Sequence, residues 1–215
     1  MSPKALLWDF GNVIVRWNPR TLYQKIFADP VDCDRFLMDV CTLAWHAPTD
    51  CGVTFADNIA QQVARHPHLE AEIRAWHERW DEMFSGPIAE TEAAIEALHA
   101  RGVPQYGLSN ISHETIDSTL AMSPAFERLA GFVASGLERV MKPDPAIYRL
   151  VCQRFGLEPG EMLFVDDSEK NIAAARALGF DVHHFTDPAA LRPARGPWPD
   201  LRPRPHPKPS SQRNA

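Results

Sequence analysis

Short apolar runs that stop at a small or acidic residue recur along the chain. Ala5–Trp8 stops at Asp9, Tyr106–Leu108 at Ser109, and Met162–Val165 at Asp166. A brief apolar run without polar alternation is the pattern of a strand covered on both faces. Phe132–Ala134 and Val182–Phe185 are weaker examples. Between these runs, apolar positions take helical spacing over Glu90–Ala100, His113–Ala121, Pro145–Phe155 and Glu169–Leu178. Gly102, Gly156 and Gly179 follow three of these stretches, where a left-handed C-terminal cap belongs. Strands alternating with helices predict an α/β domain built on a parallel sheet.

Residues 16–86 break the alternation. They show helical stretches at Pro19–Ala28, Pro30–Val40, Thr54–Arg65 and Leu69–Phe84, and no strand. The block is too long for a simple crossover and reads as an inserted helical subdomain, or cap. The division is then 1–15 with 87–186 for the sheet domain and 16–86 for the cap. Ligands of an open parallel sheet bind outside the carboxyl ends of its strands. The insertion leaves from such an end, just after Asp9, and is placed to act as a lid. Residues 187–215 hold eight of the nineteen prolines, one at every second position from Pro203 to Pro209. Such a run forms neither a helix nor a central strand. It reads as a disordered or polyproline-type tail, with a binding segment for an acidic partner as the alternative.

Composition narrows the class. With 215 residues, 45% hydrophobic and 23% charged, the chain is globular and large enough for one domain with an insertion. The net charge is −6, but the tail sets six Arg or Lys against Asp187 and Asp200, so residues 1–186 carry −10. An acidic body argues against a nucleic-acid face. Cys33, Cys41, Cys51 and Cys152 form no CxxC and no metal-ligand spacing. They read as thiols of a reducing compartment, with a disulfide left open. No apolar run reaches the ~18 residues of a membrane span, and no signal-peptide core is present. The expectation is a soluble cytoplasmic protein with no membrane partner.

The strand exits carry the candidate chemistry. Asp9 is a carboxylate held where a strand leaves the sheet; taken alone it also reads as a turn aspartate. Ser109 and Asn110 could bind an anion at a strand-to-helix junction, or simply cap a helix. Lys142, in Val-Met-Lys-Pro-Asp-Pro, is pinned by flanking prolines and could offset several negative charges, or be a surface lysine. Asp166 and Asp167 are adjacent acids whose joint ionisation suggests a bound cation; a turn residue followed by an N-cap is the plainer reading. Asn171, one helical turn past Asp167, can orient a carboxylate.

Together these exits present Asp, Ser-Asn, Lys and Asp-Asp in chain order. In Trp-Asp-Phe-Gly-Asn-Val-Ile-Val, Gly-Leu-Ser-Asn, Lys-Pro-Asp-Pro-Ala-Ile-Tyr and Phe-Val-Asp-Asp-Ser-Glu-Lys-Asn-Ile, residues 4–186 resemble the haloacid dehalogenase superfamily. Within it the chain looks most like capped phosphatases related to glucose-1-phosphatase and to the N-terminal phosphatase domain of soluble epoxide hydrolases. The resemblance implies a Rossmann-like parallel sheet with an inserted helical cap. It implies a small phosphorylated substrate and Mg²⁺. Asp9 would be the nucleophile that becomes an aspartyl-phosphate. Ser109 and Asn110 would hold phosphoryl oxygens, and Lys142 would neutralise the crowded charges. Asp9, the Gly11 backbone carbonyl, Asp167 and Asp166 would hold the cation.

One position departs from the pattern. Most phosphatases of the superfamily carry a second Asp two residues after the nucleophile as general acid and base, and here that position is Gly11. A capped subgroup also reads Asp-x-Gly-Asn-Val, so phosphatase chemistry survives, but the leaving-group proton is unassigned. His46 and Tyr23 in the cap are the first alternatives. Two other functions stay open. A 2-haloacid dehalogenase would use Asp9 on carbon and needs no acid, but it needs no metal and usually lacks the Asp166-Asp167 pair. A regulatory relative would have kept the fold without turnover. A phosphate-accepting receiver domain is excluded by chain order, because its acidic pair precedes the phosphorylated Asp. The cap would supply specificity, with Trp17, Tyr23, Trp45, His46, Trp76 and Trp80 as candidates.

Overall fold

The computed structural model describes residues 3–191. In chain order the elements are β1 (Ala5–Trp8), β2 (Val15–Trp17), α1 (Pro19–Ile26), α2 (Pro30–Asp39), α3 (Leu43–His46), α4 (Phe55–Arg65) and α5 (Glu70–Glu78). Then follow β3 (Phe84–Pro87), α6 (Ala89–Ala100), β4 (Gln105–Ser109), α7 (Ile116–Leu120), β5 (Phe132–Ala134), α8 (Ser135–Glu138), α9 (Pro145–Phe155), β6 (Met162–Asp166), α10 (Glu169–Ala177) and β7 (Asp181–His184).

Five strands form one parallel sheet in the order β5-β4-β1-β6-β7. β1 lies at its centre and all four of its residues are buried. Because side chains alternate along a strand, Leu6 and Trp8 join one core cluster, with Ile95 and Leu98 of α6. Ala5 and Leu7 join the other, with Ile147, Tyr148 and Val151 of α9 and Ile172 of α10. Burial on both faces explains the unbroken apolar run, at about 1.5–3 kcal/mol for each large side chain. Gln105, a polar residue buried in β4, is satisfied: it accepts from Trp8 Nε1 at 3.0 Å and donates to Ile95 O at 2.9 Å. A parallel sheet places all its strand exits on one edge. Asp9, Ser109 and Asp166 therefore converge.

The helices α1 to α5 pack around their own core, which includes Tyr23, Phe36, Phe55, Ile73 and Trp76. Asn18, Asp29, Thr42 and Thr54 each cap a helix N-terminus with a side-chain oxygen. Two features correct the sequence reading of this segment. It is bounded by strands: β2 and β3 pair antiparallel where the chain enters and leaves the helical unit. And Leu69–Phe84 is not one helix, because α5 stops at Glu78 and a 3-10 turn, Trp80–Met83, leads into β3. Elsewhere the stretch expected over His113–Ala121 is helical only in α7. Ser112 and Thr115 engage in loop contacts instead: the Ser112 hydroxyl accepts from Glu114 N, and Thr115 donates to Ser112 O.

The tail boundary also moves. Pro188–Leu191 forms a 3-10 turn against α6, and Leu191 is fully buried in the core. Residues 187–191 belong to the fold. The remainder of the expected tail, 192–215, lies outside the described residues. Among the described residues, no helix is long and apolar enough to cross a membrane.

Candidate active site

A cavity of about 350 Å³ opens at the carboxyl edge of the sheet, between it and the helical unit. Its floor is built from the strand exits. Asp9 follows β1 directly, and its backbone N–H donates to Val165 O at 2.9 Å, tying the exit to β6. The chain then turns sharply. Ile14 N and Val15 N both return to Phe10 O, and Asn12 takes a left-handed φ of 57°. Asparagine tolerates that conformation better than most residues, and its Oδ1 accepts from Trp17 N at 3.1 Å. Gly107 makes room beneath this turn: a Cβ there would clash with the Phe10 ring.

Lys142 is the hub. Its ammonium is buried and donates to Asp9 Oδ1 at 2.8 Å, Asp166 Oδ2 at 2.7 Å and Leu108 O at 2.9 Å. A side-chain clamp holds its backbone: Asn110 Nδ2 donates to Lys142 O at 2.9 Å, and Lys142 N donates to Asn110 Oδ1 at 2.8 Å. Both ends of the Asn110 amide are thus committed to the lysine segment. Ser109 Oγ has only a long 3.4 Å contact with Asn110 O. Asp166 is fully buried and engaged on both oxygens, by Lys142, by the Ser168 backbone N–H, and by Asn171 Nδ2 at 3.0 Å from each. Asn171 orients Asp166, not Asp167, and its own backbone carbonyl accepts from Tyr148 Oη at 3.1 Å.

The electrostatics follow from this packing. Burial pushes the Asp9 carboxyl well above the usual range; Lys142 opposes the shift, while Asp166 and Asp167 add to it. Burial works against charge on Lys142, yet Asp166 and Asp9 outweigh it and hold the ammonium above its ordinary value. Asp167 is exposed and is also raised, by partial burial and by the Asp166 charge. Ligand oxygens of Asp9, Asp166 and Asp167 lie within 4.8 Å of one another. Three carboxylates against one ammonium leave excess negative charge. The donor set is all oxygen, which fits a hard divalent cation such as Mg²⁺. Since Asp166 is already engaged, Asp9 and Asp167 are the freer donors, with Gly11 lining the same cavity.

From the helical unit, Trp17, His46 and Trp80 line the cavity. Tyr23, Trp45 and Trp76 sit behind it. Tyr23 is buried with its hydroxyl donating to Glu72 O, so it offers no proton to the site. Trp76 Nε1 donates to His46 Nδ1 at 3.1 Å, and Trp45 packs edge-on against Trp76. Burial lowers the His46 pKa to about 4, so the imidazole is neutral at pH 7. One acid in this wall escaped the sequence reading. Asp50 lines the cavity from a 3-10 turn, Thr49–Cys51, and is 9% exposed. In the stretch Pro-Thr-Asp-Cys-Gly it reads as an ordinary turn residue.

The family model of haloacid dehalogenase-like hydrolases matches residues 3–179. The chain belongs to this family. A sesquiterpene phosphatase from Aspergillus oryzae is 28% identical over 191 residues, covering 87% of this chain and 92% of that one. An (S)-2-haloacid dehalogenase from Burkholderia cepacia is 29% identical over 135 residues, covering 62% and 55%. A HAD family enzyme from Bacteroides thetaiotaomicron, solved with magnesium and inorganic phosphate, superposes with a TM-score of 0.65 at 21% identity, covering 85% and 93%. The five-stranded parallel sheet with its flanking helices is the HAD-like fold, and the cavity at its carboxyl edge is where a HAD-like hydrolase would bind its substrate.

Proposed function

We propose that this HAD-like hydrolase is a Mg²⁺-dependent phosphatase that works through an aspartyl-phosphate. The observation that carries the reading is the crowding of Asp9, Asp166 and Asp167 around one buried lysine. A halide displacement needs one carboxylate nucleophile and no cation. A second and third acid beside it are costly unless a cation offsets them.

In this reading Asp9 attacks phosphorus. Lys142 and the Phe10 backbone N–H, at 2.7 Å, both contact Oδ1, so Oδ2 is the attacking oxygen. The Ser109 hydroxyl and the Asn110 backbone N–H hold the phosphoryl oxygens, since Ile111 N already donates to Ser135 Oγ and Ser112 N to Asp50. Asn110 acts through the lysine segment, since its amide is committed there. Lys142 fixes Asp9 and offsets charge on the transferring group. Asp9 and Asp167, with Asp166 and the Gly11 carbonyl, would hold Mg²⁺. The cation would cancel the repulsion between an anionic substrate and a carboxylate nucleophile.

The substrate is a small phosphate monoester with an apolar group near the phosphate. Trp17, Leu43, Trp80, Phe84, Ile111 and Met141 supply the walls, and Leu43 is 63% exposed at the cavity. The similarity to a sesquiterpene phosphatase supports an apolar substrate. The dehalogenase reading keeps one support, the similarity to 2-haloacid dehalogenases, and Gly11 suits it. Asp9→Asn tests the covalent step. The amide is nearly isosteric but not nucleophilic. Phosphate release should fall to background while the melting temperature stays near that of the wild type. Near-normal turnover in this variant would remove Asp9 from the mechanism.

A further inference from the structure

Cleaving the phosphate ester of an alcohol expels a poor leaving group unless a proton reaches the departing oxygen. Gly11 has no side chain to supply one, and a Cβ built there would meet nothing within 4 Å. The space over the turn after Asp9 is therefore open, and the donor must line it. Among the described residues five titratable groups do: Asp9, His46, Asp50, Lys142 and Asp167. Asp9 is the proposed nucleophile. The Lys142 ammonium is held by three acceptors. Asp167 belongs to the cation cluster. His46 is neutral and its Nδ1 is an acceptor, so it has no acidic proton to give.

We infer that Asp50 is the proton donor and acceptor of this site, reaching over from the helical unit to serve a reaction whose nucleophile stands on the sheet. The inference rests on the phosphatase reading above. Three features of Asp50 support it.

Its position is fixed. The turn that carries it is pressed against the sheet domain: a Cβ on Gly52 would lie 2.9 Å from Gly136 O and 3.1 Å from the Arg139 side chain. Its carboxyl is oriented. Trp76 is a donor only, so its bond to His46 Nδ1 places the imidazole proton on Nε2. That nitrogen faces Asp50 Oδ1 at 3.5 Å, and the Ser112 backbone N–H holds the same carboxyl. Its affinity for a proton suits the task. Burial raises the Asp50 pKa to about 7, against the pull of the Lys142 charge and the Ser112 backbone N–H. The other ionisable groups around the turn are Cys51 and, against Gly52, Arg139.

The steps balance. Asp9 attacks phosphorus and the bond to the ester oxygen breaks. The bonding pair stays on that oxygen, which takes the Asp50 proton and departs as the alcohol. Asp50 is left as a carboxylate. A water then attacks the aspartyl-phosphate and gives its proton to Asp50. The bond from phosphorus to Asp9 breaks, phosphate leaves, and both side chains return to their starting forms.

The test compares two esters on the full chain with saturating Mg²⁺: hexyl phosphate, whose alkoxide needs a proton, and 4-nitrophenyl phosphate, whose phenolate does not. Asp50→Asn should lower kcat/KM for the alkyl ester, which covers the steps through alcohol release, by ~10²–10⁴-fold, the range for a lost general acid. kcat/KM for the aryl ester should fall far less, while its kcat also drops, because the water that frees Asp9 still needs Asp50 as its base. In the wild type, kcat/KM for the alkyl ester should fall as pH rises through about 7, with no such fall for the aryl ester. Equal loss of kcat/KM on both esters in a folded Asp50→Asn would overturn the inference and make Asp50 a structural residue. If that variant does not fold, the wild-type profiles decide: an alkyl kcat/KM that is flat through pH 7 overturns it. A wild type that cleaves neither ester overturns the phosphatase reading, and the inference falls with it.

Discussion

Lys142 shows how one side chain can set the character of the site. It is 2% exposed, and its ammonium is the near counter-charge for both Asp9 and Asp166. Lys142→Met would keep much of the volume and remove the charge. Two buried carboxylates would then lose their shared counter-charge, at a cost of about 3–5 kcal/mol. Urea unfolding at pH 7 should show a loss of that order, with phosphate release abolished. A loss within about 0.5 kcal/mol would mean that the ion pairs contribute little. The His46–Asp50 pair gives a second expectation at this scale. His46 falls from 6.5 to about 4 on folding, so its contribution is full above pH 6.5 and is lost as pH drops toward 4, by about 3 kcal/mol. Asp50 rises from 3.8 to about 7, so its contribution is full below pH 3.8 and is lost as pH climbs toward 7, by about 4 kcal/mol. The two nearly offset across pH 4–7. Asp50→Asn removes one of them, so its stability relative to the wild type should drop by about 4 kcal/mol between pH 7 and pH 4. A pH-independent difference would contradict these assignments.

At the scale of elements, the sheet was legible because β1, β4 and β6 are covered on both faces and so read as unbroken apolar runs. The same cover explains why Asp9, Ser109 and Asp166 stood out: each is the first polar or small residue after such a run. The parallel arrangement then brings residues far apart in sequence to one edge. The strands β2 and β3 were not legible. They are three and four residues long, and Gly86-Pro87 reads as a loop although it ends a pairing strand. The commitment of the Asn110 amide was hidden for a different reason, since its partner Lys142 lies 32 positions away. Asp50 was hidden because its role depends on how a turn in one unit meets the floor of another. Leu191 was hidden among prolines, and only tertiary contact reveals that it is buried. That last residue makes a prediction. A chain ending at Leu191 should keep the contact, and one ending at Thr186 should lose it. The shorter chain should be less stable by about 2–5 kcal/mol, the usual cost of removing a buried leucine side chain. Equal melting temperatures would show that the 188–191 turn adds nothing.

The molecule as a whole places the Asp9 carboxylate, the proposed nucleophile, at the edge of the sheet and closes the space above it with a helical unit that has its own core. The floor carries the charge and the opposite wall is largely aromatic. Such a cavity suits a substrate whose anionic end meets Lys142 and whose apolar end meets Trp17 and Trp80. On the proposed reading, the cluster of Asp9, Asp166 and Asp167 would set a cation requirement. Asp167→Ala should raise the Mg²⁺ concentration needed for half-maximal activity at least about tenfold, a loss of the size seen when support for a metal site is removed. An unchanged Mg²⁺ dependence would take Asp167 out of the cation site.

The central claim is that this cluster serves phosphoryl transfer rather than halide displacement. The most direct measurement incubates the purified protein with 4-nitrophenyl phosphate and, separately, with 2-chloropropionate, each with Mg²⁺ and with a chelator. Phosphate and chloride release are followed side by side. The account predicts phosphate release with Mg²⁺, none with the chelator, and no chloride in either condition. Chloride released in the presence of the chelator, with no phosphate under any condition, would contradict it.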